Sequence, residues 1–196
     1  MLTARFEDAL VFAARLHQDQ ARKGAEQIPY LAHLMSVAAL VLEAGGDEDE
    51  AIAALLHDAI EDRGDRTDLA EIERRFGPHV QTIVEACSDT DVRPKPPWLG
   101  RKRAYIERLE SAPPPVLRVA CADKVHNVRS TIGDLRVHGP ATWRKFGGTV
   151  EQQLWYYTTL SELFSRRLPG PLSDELSRLV AELNRLAGAG DATSAG

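Results

Sequence analysis

The segment Ala51-Ile52-Ala53-Ala54-Leu55-Leu56-His57-Asp58-Ala59-Ile60-Glu61-Asp62 sets one histidine and three acids close together, with no base before Arg63. At about 100° per residue, His57, Asp58, Glu61 and Asp62 share an arc of about 140° on a helix, opposite Ile52, Leu55, Leu56, Ala59 and Ile60. Acids crowded in this way repel one another unless a cation sits among them. A further carboxylate, Asp123, lies inside Val116-Leu117-Arg118-Val119-Ala120-Cys121-Ala122-Asp123-Lys124-Val125. Burying a charge in so apolar a run costs several kcal/mol unless it is paired or bound to a metal. His33, among Leu31, Leu34 and Met35, completes a set of two imidazoles and two carboxylates. That set suits Mn²⁺, Fe²⁺ or Zn²⁺ and leaves positions open for water and substrate. Glu61 and Asp62, one turn beyond, could orient or deprotonate such a water, and two neighbouring acids push their pKa values apart.

Each of these residues also has a plainer reading. The acids could be the solvated face of an amphipathic helix, Asp123 could be held by Lys124 or Arg118 as a salt bridge, and His33 could be a hydrogen-bonded core residue. Nearby bases extend the candidate site. Arg22 and Lys23 could stack on a base and meet phosphates, Asn127 lies one helical turn after Asp123, and Ser130 follows it. Arg101, Lys102 and Arg103 open a helix and are candidates for distal phosphates.

The elements that must position these side chains are all helical. Thr3 caps a helix carrying Phe6, Ala9, Leu10, Ala13 and Leu16, and a polar loop from Gln18 to Ile28 follows. Pro29 starts a second helix with the core stripe Leu31, Leu34, Met35, Ala38 and Leu42, ended by Gly45-Gly46. A third helix is expected from Asp49 to Asp62, and a fourth, capped by Thr67 or Asp68, carries Leu69, Ile72 and Phe76 up to Gly77-Pro78. A fifth continues to about Cys87, and a proline-rich loop spans Asp91 to Trp98. Helices over Leu99–Leu109, Pro115–His138, Pro140–Leu168 and Pro171–Ala187 complete an all-α bundle of eight or nine helices in one domain, 1–187. The Gly, Ala, Ser and Thr rich tail 188–196 is expected to be disordered. Trp155, Tyr156 and Tyr157 put apolar surface on more than one side of their helix, which implies deep burial or a homodimer contact.

Composition narrows the class of function. A 196-residue chain with 43% hydrophobic and 27% charged residues can bury a core alone. Its net charge of −5 argues against a general nucleic-acid binder. Cys87 and Cys121 read as buried, reduced thiols, no signal peptide is apparent and no stretch could span a membrane, so a cytoplasmic protein is expected.

The order His33, His57-Asp58, Asp123 resembles the signature of the HD superfamily of metal-dependent phosphohydrolases. The closer resemblance is to the hydrolase domain of stringent-response enzymes and the free-standing small alarmone hydrolases. It rests on Arg22-Lys23, on Pro29-Tyr30-Leu31-Ala32-His33, on Ala54 to Asp62, on Phe76-Gly77 and on Ala122-Asp123-Lys124-Val125-His126-Asn127, over roughly residues 5–165. The resemblance implies an HD-domain helical bundle, one divalent ion, usually Mn²⁺, held by His33, His57, Asp58 and Asp123, and Glu61 and Asp62 as catalytic acids. It implies removal of the 3′-pyrophosphate of ppGpp or pppGpp, or of the adenosine analogues, by a single-domain hydrolase without synthetase or regulatory domains. Ser130 falls where the family often carries Thr. Arg63-Gly64, where the family often has Thr after the Glu-Asp pair, and Ser88-Asp89-Thr90-Asp91 depart from the pattern, which opens the choice of base and phosphate. The alternatives are an HD phosphohydrolase acting on another nucleotide (a nucleoside monophosphate, a deoxynucleotide or NADPH) and a catalytically silent nucleotide-binding module.

Overall fold

The structure, a computed structural model, describes residues 1–24, 27–90 and 94–193, with side chains to residue 188. Its helices are α1 (Ala4–Leu16), α2 (Leu31–Glu43), α3 (Glu48–Leu56), α4 (Ala59–Arg63), α5 (Leu69–Phe76), α6 (Pro78–Cys87), α7 (Trp98–Glu110), α8 (Pro114–His138), a 3-10 helix (Gly139–Lys145), α9 (Val150–Arg167) and α10 (Pro171–Thr193). No strand occurs among the described residues beyond one isolated antiparallel bridge, Ala21 to Pro29. The expectation of an all-α bundle holds. No helix of the described residues is long and apolar enough to cross a membrane.

The chain's own polar groups mark the helix ends as the sequence implies. Thr3 caps α1 by accepting from the amide of Arg5, and Asp68 caps α5 by accepting from that of Glu71. The helix α3 sits at the centre, with Ala51 through Leu56 wholly buried and contacts to α1, α2, α6 and α8. Past its acidic first turn this helix is apolar on all sides, which places it in the core rather than leaving it amphipathic with a wet face. The long helix α8 crosses it and also meets α2, α6, α9 and α10. Arg118 of α8 pairs with the buried Glu50 of α3, tying the two helices beside the site.

Several expected elements are corrected. The helix expected over Asp49–Asp62 is broken at His57-Asp58: α3 stops at Leu56 and a separate turn, α4, starts at Ala59. Asp58 takes φ −98° and ψ 2°, a bridge conformation, and its side chain makes no capping bond because it is engaged elsewhere. The helix expected from Pro140 is also divided. A 3-10 turn ends at Lys145, and α9 starts only after Thr149, whose capping box with Gln152 closes the new N-terminus. Gly147 and Gly148 form the break. Gly148 has φ +80°, and a Cβ on Gly147 would lie 2.9 Å from Cδ1 of Trp98, so the indole seats against bare backbone. Met35, expected in the core stripe of α2, is 46% exposed, and Val37 and Val41 are buried with Leu34 and Ala38 instead. The last helix continues past Ala187 to Thr193, and residues 194–196 of the expected tail lie outside the described residues. The same holds for residues 91–93 of the proline-rich loop.

Tyr156 and Tyr157 of α9 are buried while Trp155 is 37% exposed, so deep burial accounts for two of the three aromatics. Both cysteines are free and buried. Burial pushes the Cys87 thiol up to about 12 and raises Cys121 further, so neither is a thiolate at neutral pH.

Candidate metal centre

Three segments converge on one buried point. The break after α3 turns His57 and Asp58 toward it, the first turn of α2 brings His33, and the middle of α8 brings Asp123. His33, His57 and Asp58 offer donor atoms within 4.8 Å of one another. Nε2 of His57 lies 3.0 Å from Oδ2 of Asp58 and 3.6 Å from Oδ1 of Asp123. Nε2 of His33 lies 3.6 Å from Oδ2 of Asp58 and 3.2 Å from Oδ1 of Asp123. Donors bound at about 2.1 Å to one ion stand about 3.0–3.5 Å apart in neighbouring positions, so these spacings fit a centre shared by His33, His57 and Asp58, with Asp123 facing both histidines. Both Nε2 atoms are buried without a hydrogen-bond partner. A polar atom orphaned in the interior costs roughly 1–3 kcal/mol, and a divalent cation among the four donors would remove that cost at both imidazoles at once.

The surroundings fix these donors. Nδ1 of His57 lies 2.8 Å from the Ala54 carbonyl, which can only accept, so the proton sits on Nδ1 and Nε2 is free to bind a cation. Nδ1 of His33 meets Nδ1 of His126 at 2.8 Å. The Tyr30 hydroxyl donates to Oδ2 of Asp58 at 2.6 Å. Burial, with the Asp58 and Asp62 charges beside it, raises the Tyr30 phenol well above its ordinary value and keeps it a donor. Lys124 donates to Oδ2 of Asp123 at 2.5 Å, and the Asn127 amide donates to Oδ1. The salt bridge that the sequence allowed for Asp123 therefore exists, with Lys124, and leaves Oδ1 turned to the histidines. Arg118 takes no part in it.

Without an ion, a proton takes over part of its task. Burial resists charge on His57, but Asp58 and Asp123 outweigh it and raise the imidazole well above its ordinary value. Burial likewise resists Asp58 and Asp123, and His57 and Lys124 respectively outweigh it, lowering both. A raised His57 contributes stability that is complete below about pH 6.5 and lost as the pH rises through its folded value. Lowered carboxylates contribute above about pH 4 and lose that contribution as the pH falls through their folded values. The metal-free protein is therefore expected to weaken as the pH climbs above 6.5, while divalent-ion binding, which displaces the His57 proton, tightens. Thermal unfolding in chelator from about pH 6 to 9 checks this, and a midpoint rising over that range would contradict it.

The other predicted residues are placed unevenly. Asp62 stands one turn after Asp58, and its Oδ2 accepts from the Gln20 amide at 2.7 Å. Burial and then the Asp58 charge raise its pKa. Glu61 turns the other way, accepting from Lys95 at 2.6 Å and from the Asp89 amide at 3.3 Å. Arg22 donates to the Asn127 carbonyl oxygen at 3.0 Å and lies 5.9 Å from the Tyr30 ring centre, so Asn127 spends its amide on Asp123 and Arg22. Lys23 is exposed and near enough to lower Asp62. Ser130 is half-buried on α8. Arg101 and Lys102 both meet the buried Asp89, while Arg103 is exposed. The sequence assigns no individual role to Tyr30, Asp89 and His126, which it carries only inside motifs, nor to Gln20. Tyr30 and His126 sit three residues from His33 and Asp123, a helical spacing that could have flagged them.

Residues 9–143 match the HD domain family, and the chain belongs to that family. Among its members it is 38% identical over 142 residues to human guanosine-3′,5′-bis(diphosphate) 3′-pyrophosphohydrolase MESH1, covering 71% of this chain and 74% of that protein. It is 33% identical over 138 residues to the bifunctional (p)ppGpp synthase/hydrolase SpoT of Escherichia coli strain K12, covering 67% of this chain and 18% of that one. A solved structure, described as a metazoan ortholog of SpoT that hydrolyzes ppGpp, superposes with a TM-score of 0.73 at 28% identity, covering 93% of this chain and 97% of that one.

Proposed function

We propose that this protein hydrolyses the 3′-pyrophosphate of a guanosine or adenosine alarmone and releases pyrophosphate. The observation that carries the reading is the set of four donors from His33, His57, Asp58 and Asp123, with two orphaned imidazole nitrogens, one turn from an acid of raised pKa, Asp62. The names of the relatives at 38% and 33% identity support the substrate class. Bound among the four donors, a divalent ion, Mn²⁺ in our reading with Fe²⁺ or Zn²⁺ as alternatives, supplies Lewis acidity for a phosphoryl oxygen and for water.

The chain's own residues do the rest. Asp62 takes the proton of the attacking water, and the bond between the 3′-oxygen and phosphorus breaks as hydroxide adds to phosphorus. The proton passes to the leaving 3′-oxygen. Glu61, anchored by Lys95, orients the water from the other side of α4. Arg22 stacks on the base beside Tyr30 and Lys23 meets phosphate, with Asn127 and Ser130 facing the ribose. Arg101 and Lys102, held on Asp89, meet the distal phosphates. We place the protein in the cytoplasm, with the exposed edge of Trp155 as the contact of a homodimer.

Purified protein with Mn²⁺ should release pyrophosphate from ppGpp, pppGpp or ppApp, resolved by chromatography against NADPH and simple nucleotides. Turnover of only the latter group would favour another nucleotide phosphohydrolase. Nucleotide binding with every substrate intact would favour a silent regulatory module.

A further inference from the structure

We propose that His126 is a positioning residue for His33, its Nδ1 accepting the hydrogen bond that presents Nε2 of His33 to the two carboxylates. The two imidazoles meet Nδ1 to Nδ1 at 2.8 Å, with ring centres 4.8 Å apart. One of two neutral imidazole nitrogens in such a contact must donate and the other accept. Nε2 of His33 is buried, has no hydrogen-bond partner, and stands 3.2 Å from Oδ1 of Asp123 and 3.6 Å from Oδ2 of Asp58. It can bind a cation only as a bare lone pair, so the His33 proton lies on Nδ1 and is donated to His126. The proton of His126 then lies on its own Nε2.

The two histidines of the site are thus oriented by different means. His57 uses the Ala54 carbonyl, an acceptor that no side-chain substitution can remove. His33 depends on a side chain, which makes its orientation open to mutation. That side chain stands three residues after Asp123 on α8, so one helix supplies a donor of the set and the partner that aims another. Arg22, from the segment before α2, bonds Asn127, next in sequence to His126.

The proposal rests on the metal-site reading, and the test separates the two. In Zn²⁺-loaded protein with ¹⁵N-labelled histidine, His33 should carry its proton on Nδ1 and His126 on Nε2; finding the proton on Nδ1 of His126 would overturn the proposal without any variant. Mn²⁺ titration should give a Kd about 10–100-fold weaker for His126→Phe than for wild type, with His126→Gln, which keeps an acceptor, restoring most of the affinity. A purely structural role would lower the thermal midpoint in both variants and leave the tautomer alone. Wild-type protein that binds no divalent ion would sink the metal-site reading itself. Equal Mn²⁺ affinity in folded His126→Phe and wild type, with the ion bound, would sink only the role of His126.

Discussion

Asp58→Ala is expected to abolish both divalent-ion binding and turnover. Oδ2 of Asp58 is the atom nearest a histidine nitrogen in the cluster, 3.0 Å from Nε2 of His57, and it also faces His33. Removing it leaves three donors, one of them the single carboxylate of Asp123. Lewis acidity of this kind is worth several kcal/mol at the transition state, and a loss of about 4 kcal/mol is about a 10³-fold drop in rate. The fold should survive, because α3 is buried through Ala51–Leu56 rather than through Asp58. The metal-free variant should in addition lose part of the charge that raises His57, so its stability should depend less on pH above 6.5 than that of the wild type. Metal content after dialysis, calorimetric titration and pyrophosphate release together check the expectation. Full activity, or an ion retained at wild-type affinity, would overturn the assignment of the site. Tyr30→Phe is the informative control, since it removes the hydroxyl on Oδ2 and no donor of the set.

Much of this candidate centre is legible in the residues themselves. His33, His57, Asp58 and Asp123 declare themselves by type and by the apolar runs that carry them, and the break at Gly77 or the cap at Asp68 follows from local rules. The geometry at His57-Asp58 does not follow from them. A uniform 100° per residue puts both side chains, with Glu61 and Asp62, on one face of one helix. The chain instead stops α3, gives Asp58 a bridge conformation and starts again, which sends Glu61 toward Lys95 and Asp62 toward Gln20. Periodicity cannot reveal such a break, because Ala, Ile and Leu on both sides favour continuing the helix. The hydrogen-bond partners are hidden for another reason. Asn127 reads as a free amide on a helix face, and only the fold brings Arg22 from the distant loop before α2 to occupy it. Asp89 reads as a loop residue, and only the packing of α7 delivers Arg101 and Lys102 to it.

That difference between Glu61 and Asp62 makes Asp62→Asn the more incisive test of the proposed proton transfer. Asp62 is held by an amide that has little freedom to turn. Gln20 accepts on Oε1 from Nδ1 of His17 at 2.8 Å and from Nε of Arg63 at 3.0 Å, so its NH₂ must face the carboxylate. Asparagine can accept the same bond, and the variant should fold and keep its ion, since Asp62 is not among the four donors. It cannot take a proton. General acid–base catalysis contributes about 10²–10⁴-fold, and kcat should fall by that factor with metal content unchanged. The pH profile carries the sharper signature. A carboxylate base at this position loses activity as the pH falls through its pKa, and burial, the first cause that raises it, persists with an ion among the donors. In Asp62→Asn this acid limb should vanish from what activity remains, and activity should be flat where the wild type declines. A variant that keeps the acid limb and most of its rate would move the proton transfer from Asp62 to Glu61, whose position beside Lys95 and the Asp89 amide would then be the place to look for the water.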